Sequence, residues 1–224
     1  RDQSLRALGG VPLADIRSLS QIALPLEPST QGGASRIVVG NANASVIDAL
    51  REPSAWPFHT AVLTGPPRSG KSLLGRWAQA QGIDVIDDAE LCDEDALFHR
   101  WNASQEGAAR AGEPLLIIVN AQPWEIALPD LRSRLGGSLQ LEIGEPDDEM
   151  AAQLIEALAA ERGLTLAEGA AAYLVPRANR SFADLERLVK TIDRISLERA
   201  APATMSVWRA ALEALQGPEQ ASLL

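Results

Sequence analysis

One octapeptide constrains this chain more than any other feature: GPPRSGKS at residues 65–72. It satisfies the spacing G-x-x-x-x-G-K-[ST], and both flanks fit. The β-branched run AVLT at 61–64 precedes it, and Leu73, Leu74, Trp77 and Ala78 follow at helical spacing. Gly65 and Gly70 let the backbone turn so that its N–H groups face phosphate oxygens. The following helix adds the positive end of its dipole, Lys71 can reach β- and γ-phosphates, and the Ser72 hydroxyl can hold Mg²⁺. The phosphate-binding candidates are therefore Gly65, Pro66, Pro67, Arg68, Ser69, Gly70, Lys71, Ser72 and Leu73. A chance Gly/Pro turn before a helix is the plain alternative, and the two flanks count against it.

The surrounding pattern is that of an α/β fold with a parallel sheet flanked by helices. Ile83, Val85 and Ile86 read as a strand broken by Asp87 and Asp88, and 93–108 as a helix. LLIIV at 115–119 is continuously apolar, as expected of a strand buried on both faces, and LQLEI at 139–143 suggests a further strand. After Pro146 the texture becomes helical, with amphipathic segments at 147–161, 167–175, 182–200 and 204–215. The expected division is a tail over 1–36, an α/β domain over 37–145 and a small all-helical domain over 146–224.

Two acidic residues and an amide stand where ligands collect in open α/β sheets, at the carboxyl ends of strands. Asp87 is the metal candidate beside Ser72, Asp88 can orient a water, and Asn120 closes the LLIIV run. A DD pair also ends many strands with no further role, and Asn120 alone reads as a turn residue.

The 224 residues carry 20 Lys plus Arg against 30 Asp plus Glu, a net charge of −10. A field of that sign disfavours sequence-independent duplex binding by the whole surface. Cys92 is the single cysteine, which excludes an intrachain disulfide, and His59 and His99 are too few for a His-based metal centre. No apolar run reaches membrane-spanning length, so the expectation is a cytoplasmic protein with no membrane contact.

IVVGNAN (37–43), GPPRSGKS, VIDDAE (85–90), LLIIVN (115–120) and LPDLRSRL (128–135) together resemble the AAA+ core of the DnaA family. The compact arrangement is most similar to the Hda family, DnaA homologues without a DNA-binding domain, and LFHRWN (97–102) resembles its alphaproteobacterial form. The resemblance implies an AAA+ domain with a helical lid and bound ADP or ATP with Mg²⁺. Ile37, Val38, Val39, Gly40 and Asn43 would flank the adenine, and Asn120 would sense the γ-phosphate. Arg134 would be an arginine finger serving a nucleotide on a neighbouring subunit, which requires a guanidinium able to reach outward; without the family it reads as a surface arginine.

The tail contains Gln21, Ile22, Ala23, Leu24, Pro25 and Leu26, which resemble the Q-L-x-L-P-L peptide that binds the β sliding clamp. Leu24 and Leu26 would enter an apolar groove and Gln21 would supply an amide hydrogen bond. A strand packing on its own domain is the other reading. The implied function is negative regulation of replication initiation. The nucleotide-bound protein, tethered to DNA only through the clamp, would stimulate ATP hydrolysis by DnaA and turn over little ATP itself. The alternative is a self-hydrolysing AAA+ ATPase resembling DnaA or a helicase loader; a small-molecule kinase ranks lower, and head-to-tail self-association stays open.

Three features depart from the family. The link between the phosphate-loop helix and IDVIDD is too short for a further strand and helix, so the sheet is expected to be one strand smaller. The lid sensor arginine falls on Ala183, with Arg180 or Arg187 as substitutes one turn away, and twenty residues precede QIALPL.

Overall fold

A computed structural model describes residues 37–108 and 114–216 of the chain. The clamp-peptide candidates at 21–26 lie outside the described residues. Among the described residues four strands form one parallel sheet in the order β2-β3-β1-β4. They are β1 (Thr60–Thr64), β2 (Asp84–Ile86), β3 (Leu115–Ile118) and β4 (Leu139–Glu142). Thr60 pairs with Leu115 and Ala61 with Leu139, which puts β3 and β1 at the centre. This is the reduced sheet the short link implies: the helix after the phosphate loop ends at Ala80, and β2 starts at Asp84.

Alternation along the central strands divides the core in two. Leu116 and Ile118 of β3 join Ala61 and Leu63 of β1 on one face, under α1 (Ala44–Arg51) and α2 (Lys71–Ala80). Leu115, Ile117 and Val62 face the other way, under α3 (Glu94–Ala108) and α4 (Pro129–Gly137). A strand with apolar partners on both faces has no polar side, which is why LLIIV reads as one unbroken run. Neither α1 nor α4 was anticipated from the sequence. Both carried signals: Val46, Ile47 and Leu50 form a buried stripe on α1, and Pro129 occupies the first turn of α4 with glycines at its end.

The C-terminal helices are α5 (Asp148–Glu161), α6 (Ala170–Leu174), α7 (Phe182–Glu198) and α8 (Met205–Gln216). Asp147 caps α5 by accepting from the Met150 N–H at 2.8 Å. Ser181 caps α7, accepting from the Asp184 N–H and donating its hydroxyl to the Asp184 carboxylate. The predicted helix at 167–175 shortens to α6 because Gly169 enters at φ 82° and Pro176 cannot continue it. Ile155, Leu185, Val189, Ile192, Val207 and Trp208 build a core of their own.

Two side chains sew this bundle to the sheet. Met150 and Phe182, 1% and 5% exposed, pack into the α1/α2 core instead of the bundle core. Each contributes about 2–3 kcal/mol by burial. A Cβ at Gly40 would stand 2.7 Å from the Met150 side chain, so the 37–43 segment lies directly on the first turn of α5. Among the described residues no helix is long and apolar enough to cross a membrane.

Candidate functional site

The loops leaving β1 and β3 meet at the carboxyl edge of the sheet, because those strands are neighbours whose outgoing helices, α2 and α4, cover opposite faces. The β1 loop turns into α2 at Gly70, whose φ of 87° lies in the left-handed region and whose missing Cβ faces open space for 4 Å. Lys71, the first residue of α2, is 4% exposed and donates its ammonium to the carbonyls of Gly65 and Pro66, both at 2.9 Å. Burial pushes its pKa down, against the opposing fields of Asp87, Glu90 and Asp88. The Ser69 hydroxyl is buried without a hydrogen-bond partner among the described residues. A buried cation, an orphaned hydroxyl and an open glycine cradle together fit a phosphate group.

The acidic residues gather across from this loop. The Asn120 side-chain amide donates to Asp87 at 3.0 Å and Asp88 at 2.7 Å. Backbone N–H groups of Asn120 and Ala121 donate to the Glu90 carboxylate. The structure therefore brings Asp87, Asp88 and Asn120 together as the motif order implied, and adds Glu90, which sequence reasoning passed over although it stands three residues beyond Asp87. Asp88 sits at φ 52°, turned by the strand end.

A cleft of about 580 Å³ opens beside the loop. Pro67 through Leu73 and Asn120 form one side, and Leu154, Leu158, Glu161, Phe182, Leu185 and Glu186 of the helical bundle form the other. Arg76 of α2 also lines it. The bundle residues carry no motif, and nothing in the sequence connects them to a loop more than 80 residues earlier. The most direct link is between Arg68 and Glu186. The Nε and Nη2 groups of Arg68 donate to the two carboxylate oxygens at 2.5 Å each, and Lys190 adds a contact at 2.6 Å. Hydrogen bonding from Arg68, reinforced by Lys190 against the cost of burial, holds the Glu186 carboxyl at about 2.

Other candidates stand elsewhere. Ile37 and Val38 are buried in the α1/α2 core, Val39 packs partly against it, and Gly40 lies on Met150. Asn43, 3% exposed, spends both ends of its amide on its own turn, donating to the Val38 carbonyl and accepting from the Gly40 N–H. It shapes the 37–43 segment, which lies outside the cleft wall. Arg180 pairs with Asp148 at 2.9 Å, and Arg187 with Asp184 on its own helix. Neither is among the residues that line the cleft.

Arg134 does not project freely. Its guanidinium lies 4.2 Å from the Phe98 ring centroid and 4.6 Å from that of Trp101, and donates to the Asn102 side-chain oxygen. The half-buried side chain thus ties α4 to α3. An outward-reaching finger was expected; the aromatic face of α3, built by Phe98 and Trp101 three residues apart, holds the cation instead.

Residues 147–212 match the family model described as Hda, lid domain. Among solved structures, domain III of the Thermotoga maritima replication initiation protein DnaA superposes with a TM-score of 0.61 at 14% identity, covering 81% of this chain and 95% of that one. The replication initiator DnaA bound to AMPPCP and single-stranded DNA superposes with a TM-score of 0.54 at 18% identity, over 73% of this chain and 66% of that one. This chain thus spans just under two thirds of that initiator's length. The Thermotoga maritima RuvB Holliday junction branch migration motor gives 0.54 at 18% identity, over 79% and 70%. At these identities the structural likeness is one of fold.

Proposed function

We propose that the chain is an Hda/DnaA-related AAA+ protein and, on that premise, a nucleotide-dependent negative regulator of replication initiation. It binds ADP or ATP in the cleft between the phosphate loop and the lid. Lys71, the loop amides and Ser69 hold phosphates, while Ser72 and Asp87 are the donors for Mg²⁺. No cluster of three or more His, Cys, Asp or Glu side chains is set for a metal among the described residues. Mg²⁺ commonly uses one or two carboxylates with phosphates and water, so two protein donors suit it. The bound metal would neutralise phosphate charge; the chain's own part is to grip and orient the phosphates.

The observation that carries this reading is a phosphate-binding loop continuous with a lid of the Hda family, the two joined through Arg68 and Glu186. Residues 21–26 would tether the protein to clamp-loaded DNA, and the partner would be ATP-bound DnaA. Arg134 would reach that partner's nucleotide by leaving Phe98, Trp101 and Asn102. Two cation–π contacts and one charge-assisted hydrogen bond amount to about 2–4 kcal/mol. A trans arginine is worth roughly 10³–10⁵ in rate, about 4–7 kcal/mol. That stabilisation is realised only in the transition state, so contacts made on docking must supply the free energy that releases the side chain.

The test is hydrolysis of DnaA-bound ATP with and without clamp-loaded DNA and this protein. Stimulation that needs all components supports the reading, and its absence would refute it. A second reading, an ATPase serving itself, is favoured by the convergence of Asn120 on Asp87 and Asp88. Steady-state turnover by the pure protein, lost in Asp88→Asn, would decide for it.

A further inference from the structure

The lid meets the phosphate loop with a carboxylate. Glu186 stands one helical turn beyond Ala183, the position the family resemblance assigns to a sensor arginine, and it reaches back across 118 residues to Arg68. Arg68 is itself a loop residue, held at φ 65° between Pro67 and Ser69. Its fork is committed to Glu186 through two parallel N–H···O bonds, the geometry a guanidinium uses equally for carboxylate and phosphate. The Glu186 side chain is 13% exposed and lines the same cleft as Lys71 and Ser72. A phosphate seated in the loop would face this carboxylate across a partly desolvated space, where like charges repel more strongly than in water.

We propose that Glu186 competes with the phosphates of a bound nucleotide for Arg68, so that the lid carboxylate weakens binding in step with phosphate charge and releases the loop when a nucleotide enters. This rests on the nucleotide reading above. Because Arg68 and Lys190 keep Glu186 ionised far below neutral pH, the competing charge is present under all working conditions. Exchange of Arg68 from carboxylate to phosphate detaches Glu186 from the loop, while Met150 and Phe182 keep the bundle packed on the sheet.

The experiment measures binding of ADP, AMP and adenosine to the full chain by titration calorimetry. Glu186→Gln removes the charge and keeps the shape; ADP should bind about five- to tenfold more tightly, AMP less so, and adenosine unchanged. Arg68→Ala, at a side chain 61% exposed, should weaken ADP without altering adenosine, and should abolish most of the gain from Glu186→Gln in the double variant. Unchanged or weaker ADP binding by a folded Glu186→Gln protein would overturn the proposal, as would an equal gain for adenosine. Unchanged ADP binding by Arg68→Ala would overturn it independently. A wild-type chain that binds none of the three would instead sink the nucleotide reading itself.

Discussion

Replacing Arg134 separates a structural clamp from a reaching finger. A finger waiting in solvent would leave stability untouched when removed, whereas the observed guanidinium joins α4 to Phe98, Trp101 and Asn102 of α3. Each cation–π contact at a half-buried site is worth roughly 0.5–1.5 kcal/mol, and the hydrogen bond to Asn102 about 1. Arg134→Ala should therefore cost about 2–4 kcal/mol. Against a typical stability of about 5–15 kcal/mol, the variant stays folded. With a urea slope of about 1–3 kcal/mol/M, its unfolding midpoint should fall by about 1–2 M. Arg134→Lys keeps the charge and much of the stem but loses the planar fork, so an intermediate loss is expected. Asn102→Ala removes only the hydrogen-bond acceptor; it should cost about 1 kcal/mol and, if Arg134 acts in trans, raise stimulation of DnaA by easing release. A midpoint for Arg134→Ala within 0.3 M or so of wild type would show that the clamp is not made in solution, and the reasoning fails.

Glu186 links stability to acid. Its folded pKa of about 2 lies below the ordinary value of 4.5, so its stabilising contribution is present above pH 4.5 and disappears as pH falls through 2. With Arg68 largely exposed, about 0.5–1 kcal/mol survives screening. Wild type should therefore exceed Glu186→Gln by that amount at pH 7, in urea melts, and lose the advantage near pH 2. Asp147→Ala removes the cap of α5 and should cost about 1 kcal/mol, read by thermal melting; no change would mean the 2.8 Å contact with Met150 carries nothing. Replacing Leu24 and Leu26 with Ala should abolish capture by immobilised β clamp while leaving ADP affinity unchanged, and retained capture would show the peptide was misread.

Local chemistry made much of this protein legible from its residues alone. A phosphate loop needs two glycines, a lysine and a hydroxyl at fixed spacing, because only those residues allow that backbone turn and those contacts. The sheet could be read as well: a strand covered on both faces must be apolar throughout, and LLIIV is. The short link after α2 likewise limited the strand count. The helical stretches after Pro146 were legible from their amphipathic spacing, whereas the caps Asp147 and Ser181 came from the structure.

Tertiary structure alone decided what the distant side chains do. Arg134 lies in a segment whose family resemblance implies a finger, yet Phe98 and Trp101 hold it because α3 and α4 pack side by side on one face of the sheet. Asn43, which the resemblance puts beside an adenine, spends its side-chain amide on holding its own loop. Arg180 and Arg187 find nearer carboxylates in Asp148 and Asp184. Glu186, which no pattern distinguishes from other helix-surface glutamates, becomes the lid's contact with the phosphate loop. Spacing along the chain specifies a backbone turn or a helix face, but a charge takes whichever opposite charge or aromatic face the folded chain brings within a few ångströms, and that proximity exists only once the helices have packed.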